Sequence, residues 1–268
     1  MFKTRLISGI VLVIVLILTV GTGGGILFGF LALISLIGLA ELYKVVDVHN
    51  KVLGFAGYLA AVAYYGLLLS SHMEYVTLFT ILFLVVLMVV YVFTFPSYRS
   101  EQVMTTFFGV FYVAVMLSYV YQTRMLADGA VVVWLIFLSS WGCDTCAYCS
   151  GMLLGKHKMA PKLSPKKSVE GGVGGVVGAA LLGALFAVAA NHWAGADANV
   201  LHYAIICGVG GMISQVGDLA ASAIKRNHDI KDYGKLIPGH GGILDRFDSV
   251  IFTAPVIYYL ATFLAGNL

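Results

Sequence analysis

A chain of 268 residues that is 60% hydrophobic and only 11% charged is not a soluble globule, in which about a quarter of the residues carry charge. Its net charge of +3 sits in short joints between apolar runs, not in a basic stripe or arm, so no nucleic-acid partner is expected. Of its four cysteines, Cys143, Cys146 and Cys149 crowd into one apolar run and Cys207 stands apart, which excludes a disulfide framework and suits a reducing compartment.

A helix needs about 20 residues to cross the hydrocarbon core. On that scale nine spans can be drawn, at residues 6–20, 26–40, 52–69, 76–95, 105–121, 130–148, 173–190, 202–224 and 250–264. Lys3 and Arg5 before the first run resemble the start of a signal peptide, but a second apolar run follows at once, so a retained first span is expected. The cations test this map. With the N-terminus in the cytoplasm, 15 of the 16 Lys and Arg residues fall in inward segments and only Arg124 falls outside. The expected fold is therefore all-α: a single polytopic membrane helix bundle of about nine transmembrane helices. Residues 1–130 supply N-terminal spans and residues 131–268 a catalytic C-terminal half.

The two longest inward loops, near residues 151–172 and 225–249, carry ten of these cations. Between them runs a glycine-rich span (Gly171, Gly172, Gly174, Gly175, Gly178, Gly183), whose small residues let helices approach closely. The loop at 151–156 lacks the spacing and the final Ser or Thr of a P-loop. Further on, Ser164-Pro-Lys166-Lys167-Ser168 offers hydroxyls and paired ammonium groups to a polyphosphate, or anchors the loop to anionic headgroups. Cys143, Cys146 and Cys149 spread over about 120° of a helix, which suits apolar packing better than a zinc site.

In the eighth span Gly211, Ser214, Gln215, Asp218, Ser222 and Lys225 recur at helical steps and form one polar face. Ser214 and Gln215 suit interhelical hydrogen bonding, whereas a carboxylate at the membrane boundary, Asp218, needs a cation or a metal. Asp245 and Asp248 stand one turn apart around Arg246. With Asp218 they would offer hard oxygen ligands of the kind Mg²⁺ uses, or they pair with Arg226 and Arg246. Between these ends lies Pro238-Gly239-His240-Gly241-Gly242, which cannot be regular helix; its glycines bring backbone N–H groups close to an anion, or simply make a turn. Asp229 and Asp232 lie between and are expected to be solvated or paired. The sequence has no evident internal repeat and no proline at the centre of a span, which weighs against a transporter.

The run Ser222-Ala-Ile-Lys225-Arg226, four residues, Lys231-Asp232, then Pro238-Gly-His240-Gly241-Gly242-Ile-Leu-Asp245-Arg246-Phe-Asp248 resembles the signature of the CDP-diacylglycerol synthases, also called phosphatidate cytidylyltransferases. Asp144-Thr145-x-Ala147-Tyr148 and Ser164-Pro-Lys166-Lys167-Ser168-x-Glu170-Gly171 resemble that family too. The resemblance implies transfer of a cytidylyl group from CTP to phosphatidate in phospholipid biosynthesis, with Mg²⁺ and a monovalent K⁺ beside it. It also implies a homodimer in the inner (plasma) membrane with its active site facing the cytoplasm. On that basis Asp218, Asp245 and Asp248 are the expected metal ligands; Lys225, Arg226 and His240 join them as catalytic residues. Asp144, Ser164, Lys166, Lys167, Ser222, Gly241, Gly242 and Arg246 are the expected substrate-binding residues. Two alternatives stand: a CTP-dependent transferase acting on another lipid, and an anion or phospholipid transporter.

Overall fold

A computed structural model of the protein describes residues 2–264, with side chains from residue 6 onward, so Lys3 and Arg5 lie outside the described side chains. Nearly all of it is helix: α1 (Phe2–Thr22), α2 (Gly24–Val45), α3 (Val52–Leu69), α4 (Val76–Phe93), α5 (Ser100–Arg124), α6 (Gly129–Leu154), α7 (Val169–Ala194), α8 (Val200–Asn227) and α9 (Leu244–Leu264). From α2 onward the eight helices are long and apolar enough to cross a membrane, and α1 adds a shorter apolar stretch, Leu6–Thr22. The chain is a polytopic membrane protein. Helices α5 and α6 each contain a π-helical segment, Val110–Val115 and Leu138–Gly142, a widening common near functional sites.

The chain divides into two compact units. One comprises Met1–Ser118 and Asp232–Arg246, the other Tyr119–Lys231 and Phe247–Leu268. The signature loop 232–246 thus belongs with the N-terminal helices, although sequence order puts it in the C-terminal half.

In the first unit the core is the buried face of α2, with Leu27, Leu31, Leu39, Leu42 and Tyr43 almost fully enclosed. Polar groups among these side chains are paired, as burial demands: Tyr43 donates to the Thr106 carbonyl at 2.8 Å, and Tyr64 and Ser118 share a hydrogen bond of 2.9 Å. A Cβ on Gly57 would fall 2.2 Å from the Tyr43 hydroxyl, so only glycine lets α3 pass that ring. Helix α4 keeps most of its apolar surface exposed, as a helix facing lipid does.

The second unit is built on close helix contacts. Along α7, a Cβ at Gly174 would lie 2.2 Å from Ser150 Oγ, one at Gly175 2.8 Å from Ala147 Cβ, and one at Gly178 2.5 Å from Cys146 Cβ. The glycine stripe is therefore the seam between α6 and α7, as small-residue packing requires. Ser168 caps α7 by accepting the Gly171 N–H at 3.1 Å, and Asn199 caps α8 by accepting from Leu201 and His202.

Two local features depart from the expected map. Residues 151–172 are not an irregular loop: β1 (Lys158–Ala160) and β2 (Ser164–Ser168) pair antiparallel, with Lys158 opposite Ser168 and Ala160 opposite Ser164. The hairpin is closed at its base by Glu170, which accepts from the His157 backbone N–H and pairs with His157 Nδ1 at 2.6 Å. The last helix starts at Leu244, six residues before the expected span, because the charged turn Asp245-Arg246-Phe247-Asp248 is helical.

Candidate functional site

In the second unit a cleft of about 480 Å³ opens between α6, the hairpin, the start of α7 and α8. Asp144, Lys166, Lys167, Gln215 and Asp218 line it, together with Met159 and Tyr148. Each polar group arrives for a local reason. The π-helical turn at Leu138–Gly142 ends just before Asp144 and sets its phase on α6. Strand β2 delivers Lys166 and Lys167. Gln215 fixes α8 to α7, its Nε2 donating to the Gly172 carbonyl at 2.9 Å. The polar face read from the α8 sequence is thus part packing, through Gln215, and part cleft wall, through Asp218.

Lys167 and Asp218 form an ion pair across the cleft, each side chain 26% exposed. Apart from that pairing, Lys167 Nζ is buried and makes no hydrogen bond. An ammonium has three donors to satisfy, so the site carries unspent donor capacity for anionic oxygens. Asp248, 9% exposed, lies in the field of this cluster: Asp218 and Asp144 repel it and Lys225, itself 9% exposed, attracts it. It also accepts the Ser249 N–H at 2.8 Å. Asp144, Asp218 and Asp248 thus share this region with Lys166, Lys167 and Lys225, three carboxylates against three ammonium groups. Among the described residues no three His, Cys, Asp or Glu side chains are drawn together as a ready-made metal cluster. The donors are nevertheless of the right kind, since hard carboxylate oxygens suit a small divalent cation completed by phosphate and water.

The remaining residues of this unit are less central. Arg226 is exposed and donates from Nη1 to the Ile230 carbonyl at 3.1 Å, closing the C-terminal end of α8. Ser164 opens β2 and Ser222 lies on the last turns of α8, both half-buried. The cysteines face different surroundings. Cys143 is buried and donates to the Gly211 carbonyl at 3.4 Å, Cys146 abuts Gly178, and Cys149 is exposed.

In the first unit the signature loop is tied down by side chains. Asp245 Oδ2 accepts the backbone N–H of Tyr233 at 2.8 Å and of Gly242 at 3.0 Å. His240 Nδ1 meets Ser8 Oγ of α1 at 2.8 Å, and the same hydroxyl reaches the Pro238 carbonyl at 2.9 Å. Gly241 adopts φ +85°, open to glycine, and a Cβ there would fall 2.7 Å from Asp245 Oδ2. The anion cradle expected from this loop therefore has an occupant for one of its N–H groups, the chain's own Asp245. Arg246 Nε is buried without a hydrogen-bond partner.

Sequence reasoning missed Glu41. It is 4% exposed at the C-terminal end of α2 and accepts the Ile243 N–H at 3.0 Å and the Leu244 N–H at 2.9 Å, one on each carboxylate oxygen. A signal existed: a carboxylate directly after a 15-residue apolar run is costly to leave unpaired.

Comparison with known proteins places the whole chain in one family. The sequence pattern described as "Cytidylyltransferase family" matches residues 3–264. The phosphatidate cytidylyltransferase of Staphylococcus epidermidis (strain ATCC 35984) is 33% identical over 263 residues, covering 96% of this chain and 98% of its own. That of Staphylococcus aureus (strain COL) is 31% identical over 268 residues, covering 96% and 98%. That of Bacillus subtilis (strain 168) is 30% identical over 267 residues, covering 96% and 97%.

Proposed function

The chain belongs to the cytidylyltransferase family, and on that premise we propose that it is a phosphatidate cytidylyltransferase, converting CTP and phosphatidate to CDP-diacylglycerol and pyrophosphate. The observation that carries this for the chain's own residues is the Lys167–Asp218 cleft, which sets lysines of β2 against carboxylates on helices otherwise suited to lipid. A phosphate oxygen of phosphatidate forms a bond to the α-phosphorus of CTP. The bond from that phosphorus to the bridging oxygen breaks, and pyrophosphate leaves with the electron pair. The attacking oxygen is already ionised, so no general base is needed.

The barrier is mainly repulsion between anions, and the residues answer it. Lys166 and Lys167 meet the triphosphate, with Lys225 and Arg226 steadying the same end of α8. Asp218 and Asp248, with Asp144 close by in the same unit, would hold Mg²⁺; when bound it neutralises the reacting phosphates and aligns the displacement. A monovalent K⁺ beside it, a homodimeric assembly, and a plasma-membrane location with the cleft facing the cytoplasm complete the proposal. The cation sorting that puts 15 of 16 Lys and Arg on one side supports that orientation.

Purified protein given CTP, phosphatidate and Mg²⁺ is expected to release pyrophosphate and form the liponucleotide. Failure across several lipid compositions would sink the enzyme reading and leave an anion or phospholipid transporter. Turnover with a polyprenyl or ether phosphate but not diacyl phosphatidate would reassign the acceptor lipid.

A further inference from the structure

We propose that Glu41 is the positioning residue of the signature loop, a strap from α2 that fixes the loop's backbone in its working conformation. Four observations within the first unit carry it. The Glu41 carboxylate is enclosed, and its two oxygens accept two successive backbone N–H groups, Ile243 at 3.0 Å and Leu244 at 2.9 Å. Those donors lie at the start of α9, where N–H groups have no helical partner and negative charge is favoured. The carboxylate also occupies the space that side chains at two loop glycines would need: a Cβ on Gly234 or on Gly242 would fall 2.3 Å from Glu41 Oε1. Finally, its neighbouring charges are Asp245, which repels it, and Lys44.

Asp245 and Glu41 therefore divide one task. Asp245 gathers the Tyr233 and Gly242 N–H groups from within the loop, and Glu41 gathers the next two from 200 residues away in sequence. Together they take the N–H groups of three consecutive residues, 242–244, which sets the direction in which the chain enters α9. Each of these two mutually repelling carboxylates is held by two backbone donors, and Lys44 attracts Glu41. The arrangement belongs to position 41 and to a carboxylate. Gln keeps the size but presents an amide N–H to a backbone N–H, and Asp withdraws both oxygens by about one bond length, roughly 1.5 Å.

The kinetic part of this inference rests on the cytidylyltransferase reading; the structural part does not. The test is hydrogen exchange on the full-length protein in detergent, comparing wild type, Glu41→Gln and Glu41→Asp, with amides of α3 as the internal control. The Ile243 and Leu244 amides are expected to exchange about 10- to 100-fold faster in Glu41→Gln, with α3 unchanged, as loss of charge-assisted hydrogen bonds implies. Turnover per folded molecule should fall by about tenfold or more at unchanged KM for CTP, because the loop is misplaced while the cleft in the other unit is intact. Glu41→Asp should fall between. Should Glu41→Gln not fold, Glu41→Asp alone decides. Unchanged exchange at 243 and 244 overturns the strap. Loosened amides with wild-type turnover overturn its role in positioning. If wild type itself transfers no cytidylyl group, the exchange result still stands or falls by itself and only the proposed function is lost.

Discussion

Lys167→Met is expected to damage the protein more than Asp218→Asn, and the second change should repair part of the first. An ion pair at about 4 Å in an effective dielectric of about 20 attracts by about 4 kcal/mol before desolvation is counted. Exposed pairs retain about 0–1 kcal/mol of this, and removing one partner of a fully buried pair costs about 3–5 kcal/mol. With both side chains 26% exposed, the pair lies nearer the buried limit. Taking away Lys167 leaves Asp218 facing the repelling Asp144–Asp248 cluster, with Lys225 as the cation acting on Asp248. That places the loss at about 3 kcal/mol. Asp218→Asn also loses the charge pair, but its amide oxygen can still accept from the buried Lys167 ammonium and a charge that repels Asp248 is removed, so its net cost is about 1 kcal/mol. In Lys167→Met/Asp218→Asn neither charge remains, and the cost returns to about 1 kcal/mol. At about 2–4 °C per kcal/mol, the melting midpoints in detergent should fall by about 10 °C for Lys167→Met and about 3 °C for the other two. Pyrophosphate release should be lost in all three, so stability and activity separate. A double variant less stable than Lys167→Met would refute the charge arrangement derived for this cleft.

Gly174→Ala should cost about 1–3 kcal/mol, because its Cβ lands 2.2 Å from Ser150 Oγ, and Ser150→Gly in the same chain should recover most of the loss in a thermal melt. Ser168→Ala removes the N-cap of α7 and should cost about 1 kcal/mol, with Ser168→Asp close to wild type by the same assay. Changing Cys143, Cys146 and Cys149 together to Ala should leave turnover per folded molecule largely intact while lowering stability through the small void at buried Cys143; a loss of turnover rescued by added zinc would overturn that assignment.

The helices were legible because a bilayer imposes a single strong rule, about 20 apolar residues per crossing, and this chain obeys it from residue 24 onward. The glycine stripe on α7 was legible for the same reason: small residues at helical spacing have one common use in lipid. What escaped was set by partners far away in sequence. Asp245 and Asp248 were legible as one helical turn, but the start of α9 at Leu244 was not, because the apolar span begins only at residue 250 and the group that satisfies the first N–H groups, Glu41, lies 203 residues earlier. The β1–β2 hairpin escaped because its register depends on Glu170 reaching back to His157. The π-helical turn before Asp144 leaves no mark in composition at all. Of the signature, the charges were legible and their division between two units was not.

That division sorts the carboxylates by what satisfies them. Glu41 and Asp245 each accept two backbone N–H groups, a partnership that fixes chain geometry and adds no net charge. Asp218 is satisfied by an ammonium, and Asp248 lies in a field made of other carboxylates and a lysine. A carboxylate held by backbone donors is costly to redirect, since the released N–H groups would be buried without partners. One held by a lysine can exchange that lysine for another cation at little net cost, and the freed ammonium then turns to an incoming phosphate. The prediction is that divalent cation and CTP bind with positive coupling in wild type. Measured by calorimetry, Mg²⁺ should tighten CTP binding by about tenfold or more, because each ligand supplies the partner that the other takes from the Lys167–Asp218 pair. Asp218→Asn should reduce that factor sharply. Equal CTP affinity with and without Mg²⁺ in wild type would show that the pair does not exchange, and would remove Lys167 from the triphosphate-binding role.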